Sequence, residues 1–180
     1  EQVSLRCALR EELKTLKAET SSFGSKVTSV SFETNVVAGL DLYVIIEGVR
    51  DWEKRDCFGQ LQKYIYGSGY GRVCLVYGLR RTGKTTMILQ ALNEMSEEQL
   101  RKAVYIKAKS TDTMAAMDRD LKKFQGLGYK YVFIDEVTLM PDFIDSAALF
   151  SDIYAAMGMK IVLSGTDSLG FWFGLRQELY

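Results

Sequence analysis

Histidine is absent from all 180 residues of the chain. That gap excludes Ser-His-Asp and Cys-His nucleophilic catalysis, histidine general bases and histidine-ligated metals together. Cysteine is scarce: Cys7, Cys57 and Cys74 lie far apart with no C-x-x-C pair. They spell out neither a zinc cluster nor a disulfide framework, as suits a reducing compartment. Cys74 stands in an apolar run and is expected to be a plain buried thiol. Net charge is missing too, since 23 Lys plus Arg balance 23 Asp plus Glu. Bulk charge therefore indicates neither nucleic acid nor an anionic membrane as a partner. No apolar stretch reaches the roughly 18 residues that span a bilayer. Glu1 to Lys17 alternates charge with leucine where a signal peptide would carry an apolar core. There is no internal repeat and no low-complexity tract. A cytoplasmic protein that does not meet the membrane is the expectation.

What is present is an ordinary globular composition, 47% hydrophobic and 26% charged. The length suits one domain or most of one, which buries roughly 70% of its unfolded surface and needs no staple. Ser4 to about Glu19 reads as an amphipathic helix, with Leu5, Leu9, Leu13 and Leu16 on one face. Docking on its own core and docking on a partner both fit this helix. Thr20 to Glu33 is Ser/Thr-rich, with a weak strand suggested by Val27, Val30 and Phe32 and a better one over Asp41 to Glu47. A helical pattern runs from Arg50 to Tyr66, where Trp52, Phe58, Leu61 and Ile65 share a face. These readings set residues 1–50 apart as an N-terminal helix-and-strand extension, with 51–180 as the core.

From Val73 the pattern becomes regular. Short apolar runs at Val73–Tyr77, Val104–Ile106, Tyr131–Ile134 and Ile161–Leu163 alternate with helical patterns at Lys84–Met95, Thr113–Phe124 and Phe143–Met157. Asp112 is available to cap the second of these helices. Strands of this length separated by such helices predict an α/β fold, a mostly parallel sheet with helices on both faces.

Between the first strand and its helix lies Gly78-Leu79-Arg80-Arg81-Thr82-Gly83-Lys84-Thr85, a full match to G-x-x-x-x-G-K-[ST]. The glycines let backbone N–H groups turn inward around anionic oxygens. Lys84 reaches the β- and γ-phosphates, and the Thr85 hydroxyl ligates Mg²⁺ at the helix start. The expected nucleotide contacts run from Gly78 through Thr86, with Arg80 and Arg81 open to phosphate, to acids, to a neighbouring element or to solvent.

Tyr131-Val-Phe-Ile134 ends in Asp135 and Glu136. A strand buried on both faces delivers its first acid at the carboxyl edge of the sheet, where ligands of open α/β sheets bind. Asp135 is placed to complete the Mg²⁺ shell with Thr85, and Glu136 to orient and deprotonate an attacking water. The last strand, ending Ser164-Gly165-Thr166, is expected beside the phosphate-loop strand, with Ser164 or Thr166 sensing the γ-phosphate. Tyr64, Tyr66 and Tyr70 are candidates to stack on a base, although packing explains them as well.

Together GLRRTGKT, FIDE and VLSGTDS resemble the phosphate loop, Walker B and sensor 1 of prokaryotic AAA-type P-loop ATPases, over about Gly71 to Ser168. The resemblance implies a three-layer P-loop NTPase fold. It implies ATP and Mg²⁺ as ligands, with Gly78, Gly83, Lys84 and Thr85 on the nucleotide and Asp135 on the metal. It gives Glu136 the water and Ser164 or Thr166 the sensor role, and it raises self-association through a neighbour's arginine. A fifth strand and a helical lid with its sensor-2 arginine do not fit into the short stretch after Ser168. They are expected to be missing, and Arg176 is a weak candidate for an arginine finger. A further C-terminal domain, nuclease-like in some relatives, would be the route to nucleic acid; the protein partner stays open. The expected function is ATP hydrolysis coupled to conformational change, with a slow or non-hydrolysing ATP switch as the alternative. Asp167 to Gly170 fits the D-x-x-G of GTPases, yet no N-K-x-D comes after it and the context is wrong. A small-molecule kinase would need an arginine-rich lid.

Overall fold

The computed structural model of the chain describes residues 30–68 and 71–166. A division between two compact units falls after Ser31, and the sheet and its helices belong to the unit that begins at Phe32. The leading helix expected over Ser4 to Glu19 and the start of the weak strand at Val27 lie outside the described residues.

Five strands form one sheet: β1 (Val36–Ala38), β2 (Val73–Tyr77), β3 (Ala103–Lys107), β4 (Tyr131–Asp135) and β5 (Lys160–Gly165), in spatial order β1-β3-β4-β5-β2. β3, β4, β5 and β2 are parallel, and β1 pairs antiparallel with β3 through Val36↔Ile106 and Ala38↔Val104. β2 lies against β5, in the place expected from the sequence. Helices cover both faces: α1 (Tyr43–Ile46), α2 (Phe58–Tyr66), α3 (Lys84–Glu94), α4 (Glu97–Leu100), α5 (Met114–Gly126) and α6 (Phe143–Ser146). β4 and β5 are buried along almost their whole length because both faces are covered, which is why they read as unbroken apolar runs.

Two apolar clusters flank the sheet. On one side Phe133 and Val162 meet α1, α2 and α3 through Ile46, Leu61, Ile88 and Leu92. On the other, Ile106, Ile134 and Leu163 meet Leu121, Phe124, Phe143 and Phe150. Residues 36–49, grouped by sequence with an extension, supply the edge strand and part of the first cluster. The strand expected over Asp41 to Glu47 is helical instead: a 3-10 turn at Gly39–Leu42, then α1, then a 3-10 turn at Glu47–Val49. Leu42, Ile46 and Val49 are buried while Val44 is 64% exposed, so the apolar spacing is four and three, that of a helix packed on one side. Trp52 lies ahead of α2 rather than on its buried face. The helix expected over Phe143 to Met157 is α6 followed by a π-helical stretch at Phe150–Ala155. Its buried face (Phe143, Ala147, Phe150, Tyr154) keeps the expected period although the winding changes. Thr113, not Asp112, caps α5: its hydroxyl accepts from Ala116 N at 3.2 Å, while Asp112 closes a turn on Lys109 N.

One buried acid fastens the chain where it enters this unit. Asp120 of α5 is fully buried and accepts from Glu33 N (2.9 Å), Thr34 N (2.8 Å) and Thr34 Oγ1 (2.8 Å), with Lys123 Nζ at 3.3 Å. Burial alone would raise its carboxyl pKa, but these bonds together bring it below the ordinary value. A depressed folded value means that the stabilisation is complete above the unfolded carboxylate's pKa, near about 3.9, and is lost as pH falls through the folded one. Asp120→Ala should cost about 2–4 kcal/mol, because it strands several buried donors. Asp120→Asn should flatten the loss of stability below about pH 4. Denaturant melts of the three chains from pH 7 to 2 check both; equal midpoints at pH 7 would contradict the anchoring role.

Candidate nucleotide site

The loop between β2 and α3 is built around its glycines. Gly83 has φ +85° and Gly78 φ +153°, and the Gly83 conformation is one that side-chain-bearing residues adopt only under strain. Lys84, 7% exposed, turns its ammonium into the ring and donates to the carbonyls of Gly78 (2.9 Å) and Leu79 (2.8 Å). The Thr82 hydroxyl donates to Leu79 O at 2.8 Å, drawing the turn closed. Gly83 caps α3 without a side-chain acceptor, so the first-turn N–H groups stand at the positive end of an eleven-residue helix. That is a seat for an anion. Leu79 and Arg80 are exposed and Thr86 is half-buried. Arg81 lies on the wall of the cavity above the loop and holds a left-handed φ of +61° despite its side chain.

The acids reach this loop by strand parity. Alternate residues of a strand face the same way. Tyr105, Phe133 and Val162 belong to the apolar cluster beneath α3. Asp135 and Ser164, two residues beyond Phe133 and Val162, therefore emerge on the α3 side. Asp135 is fully buried and accepts three hydroxyls: Thr85 Oγ1 (2.7 Å) and Tyr105 OH (2.9 Å) at Oδ2, and Ser164 at Oδ1. Burial, followed by the adjacent carboxylates, pushes the Tyr105 phenol far above its ordinary pKa, so it remains a donor. Ser164 Oγ also accepts from Glu136 N at 3.1 Å. Thr166, half-buried, pairs with Thr138: its N–H donates to Thr138 Oγ1 at 3.2 Å and the two hydroxyls lie 3.2 Å apart.

Glu136 is unusual in two respects. Its backbone is left-handed (φ +60°, ψ +38°), and its Oε2 is buried with no hydrogen-bond partner among the described residues. A buried oxygen left unpaired costs about 1–3 kcal/mol, and strain of this kind collects at functional sites. Glu136 shares the wall of a cavity of about 590 Å³ with Lys84, Thr85, Thr86, Arg55 and Trp52.

The structure thus brings Lys84, Thr85, Asp135, Glu136 and Ser164 together. Tyr64 belongs elsewhere: its hydroxyl donates to Arg72 O (2.7 Å) and accepts from Ile161 N (2.9 Å), clasping the opposite end of β2 and β5, and burial pushes its pKa up to about 12. Tyr66 is half exposed; Tyr70, Arg176 and the Asp167–Gly170 stretch lie outside the described residues. Cys74 is half-buried and its thiol is raised to about 11 by burial, as a structural thiol should be. Tyr105, Thr138 and Arg55 carried no sequence signal, because each depends on which strand or turn lies alongside.

Among the described residues no three acidic or thiol side chains gather into a metal cage. A carboxylate beside a threonine hydroxyl is nevertheless a fit for Mg²⁺, a hard ion usually held by one or two carboxylates, water and substrate phosphates. No helix of the described residues is long and apolar enough to cross a membrane.

A glycine cradle opening a helix at the carboxyl edge of a parallel sheet, with a strand-end acid bonded to the helix's first threonine, defines the P-loop nucleotide-binding class. Residues 70–176 match the family model described as AAA domain, and the chain belongs to that family, whose members are AAA-type P-loop ATPase-like domains. No curated protein matches the chain.

The strain at residue 136 is measurable without any ligand. Glu136→Gly should melt about 2–4 °C above Glu136→Ala, since only glycine takes the left-handed backbone freely. Scanning calorimetry of the pair checks this; an alanine chain as stable as the glycine chain would show the backbone relaxed.

Proposed function

We propose that the protein binds ATP with Mg²⁺ in the Gly78–Thr86 cradle and hydrolyses it to ADP and phosphate, coupling turnover to conformational change in itself or a partner. The observation that carries the reading is the buried, unpartnered Oε2 of Glu136 on the same cavity wall as Lys84 and Thr85. In this reading the loop N–H groups and Lys84 bind the phosphates, Lys84 exchanging its two carbonyl partners for phosphate oxygens. Thr85 and Asp135 hold the metal, which when bound neutralises charge on the phosphate oxygens. Glu136 accepts a proton from water as the water oxygen bonds to the terminal phosphorus. The bond from that phosphorus to the bridging oxygen breaks, and ADP leaves with the electron pair. Ser164, whose hydroxyl donates to Asp135 and accepts from the Glu136 N–H, acts through these residues, and Thr166, whose hydroxyl meets that of Thr138, takes the role of sensing the terminal phosphate. Assembly into a homo-oligomer and a cytoplasmic setting belong to the same proposal.

Phosphate release at saturating Mg-ATP should fall at least about 100-fold in Glu136→Gln, with ATP binding retained. Equal rates in the two chains would remove Glu136 from the chemistry. Binding without turnover in either would favour a nucleotide-dependent switch.

Tyr105 offers a second test. Tyr105→Phe leaves the loop intact but takes one of three hydroxyls from Asp135, and should raise the Mg²⁺ needed for half-maximal ATP binding about tenfold. ADP affinity in EDTA should stay unchanged. A loss of ADP affinity in EDTA as large as that with Mg²⁺ would assign Tyr105 to folding of the site instead.

A further inference from the structure

We propose that Arg55 is a nucleotide-binding residue that closes the phosphate loop from outside, its guanidinium contacting a phosphate oxygen of the bound nucleoside di- or triphosphate. The proposal rests on the nucleotide reading above and adds to it a ligand that lies outside the loop motif. Arg55 belongs to the turn ahead of α2, 23 residues before the loop begins. Its guanidinium nevertheless stands over Gly83: a Cβ placed on that glycine would meet Arg55 Nε at 3.5 Å and Nη2 at 3.6 Å. Arg55 also lines both hollows that flank the loop, the one of about 590 Å³ that holds Glu136 and a second of about 500 Å³ walled by Tyr77, Leu79 and Met87.

The turn that carries Arg55 is fastened. Gln90 of α3 donates through Nε2 to Trp52 O at 2.8 Å, and Phe58 N donates to Arg55 O at 2.9 Å. The adjacent cation makes the contrast. Lys54 is engaged by Glu94 and lies 4.9 Å from the centre of the Phe58 ring. Arg55 makes no ion pair or side-chain hydrogen bond among the described residues, although Glu53 and Glu136 face the same cavity. A guanidinium held beside the positive end of a helix without an ion-pair partner keeps its donors available, and an oxyanion bound there would engage them. Its planar fork suits phosphate, and its weak hydration lowers the cost of leaving water.

The test is calorimetric titration of ADP and ATP into wild type, Arg55→Ala, Arg55→Met, Arg55→Lys and Lys84→Ala, at two salt concentrations. Arg55→Ala and Arg55→Met should bind both nucleotides about tenfold more weakly and with a shallower salt dependence, a charge-assisted contact having been lost. Arg55→Lys should recover most of the affinity. Because methionine keeps the apolar stem, packing and charge are told apart. If Arg55→Ala and Arg55→Met bind like wild type while Lys84→Ala has lost affinity, the nucleotide reading stands and the role of Arg55 is overturned. If wild type binds neither nucleotide, both fall.

Discussion

The carboxylate of Asp135 is the point on which this site depends. It is buried, it has no cationic partner among the described residues, and it is held by three hydroxyls from three different elements: Thr85 at the start of α3, Tyr105 in β3 and Ser164 in β5. A buried carboxylate is tolerated only when its oxygens are satisfied. Here the satisfaction also ties the phosphate-loop helix to the middle of the sheet. The arrangement sets the spacing between the loop and the acidic strand without a salt bridge. It also leaves hydroxyls, which exchange partners cheaply, where a metal would have to enter.

Around that anchor the left-handed backbone of non-glycine residues, among the described residues, falls where chemistry is proposed. Arg81 and Glu136 are the two non-glycine residues with positive φ among the described residues, and both face the cavity above the loop. Glu136 carries in addition an oxygen without a partner. Each feature costs on the order of 1–3 kcal/mol. The two apolar clusters on either side of the sheet supply the stability that sustains them. By contrast the Asp120 carboxylate, which gathers Glu33 and Thr34, has its donors in place and is remote in sequence from the loop.

The regular part of the fold was legible because the physics was local. Strands β2 to β5 are short apolar runs bounded by turns, and the loop motif between β2 and α3 carries its chemistry in consecutive residues. Asp135 was expected at the carboxyl edge because it ends a fully apolar strand, and Ser164 because its strand was expected beside the phosphate-loop strand, as it is. What was hidden depended on neighbours distant in the chain. Asp41 to Glu47 is apolar enough for either a strand or a short helix, and packing beside α3 decided for the helix. Tyr105 looks like any aromatic in a strand until Asp135 is set two residues beyond its paired partner Phe133. Trp52 and Arg55 looked like part of a helix, and only the turn preceding α2 carries them to the loop.

The most direct measurement is a crystal structure of the Glu136→Gln chain with Mg-ATP. The account predicts the triphosphate in the Gly78–Thr86 cradle, the Thr85 hydroxyl turned from Asp135 to the metal, and the side chain of residue 136 facing the terminal phosphate. A nucleotide bound away from the loop, or a loop still closed on Lys84 at saturating Mg-ATP, would contradict it.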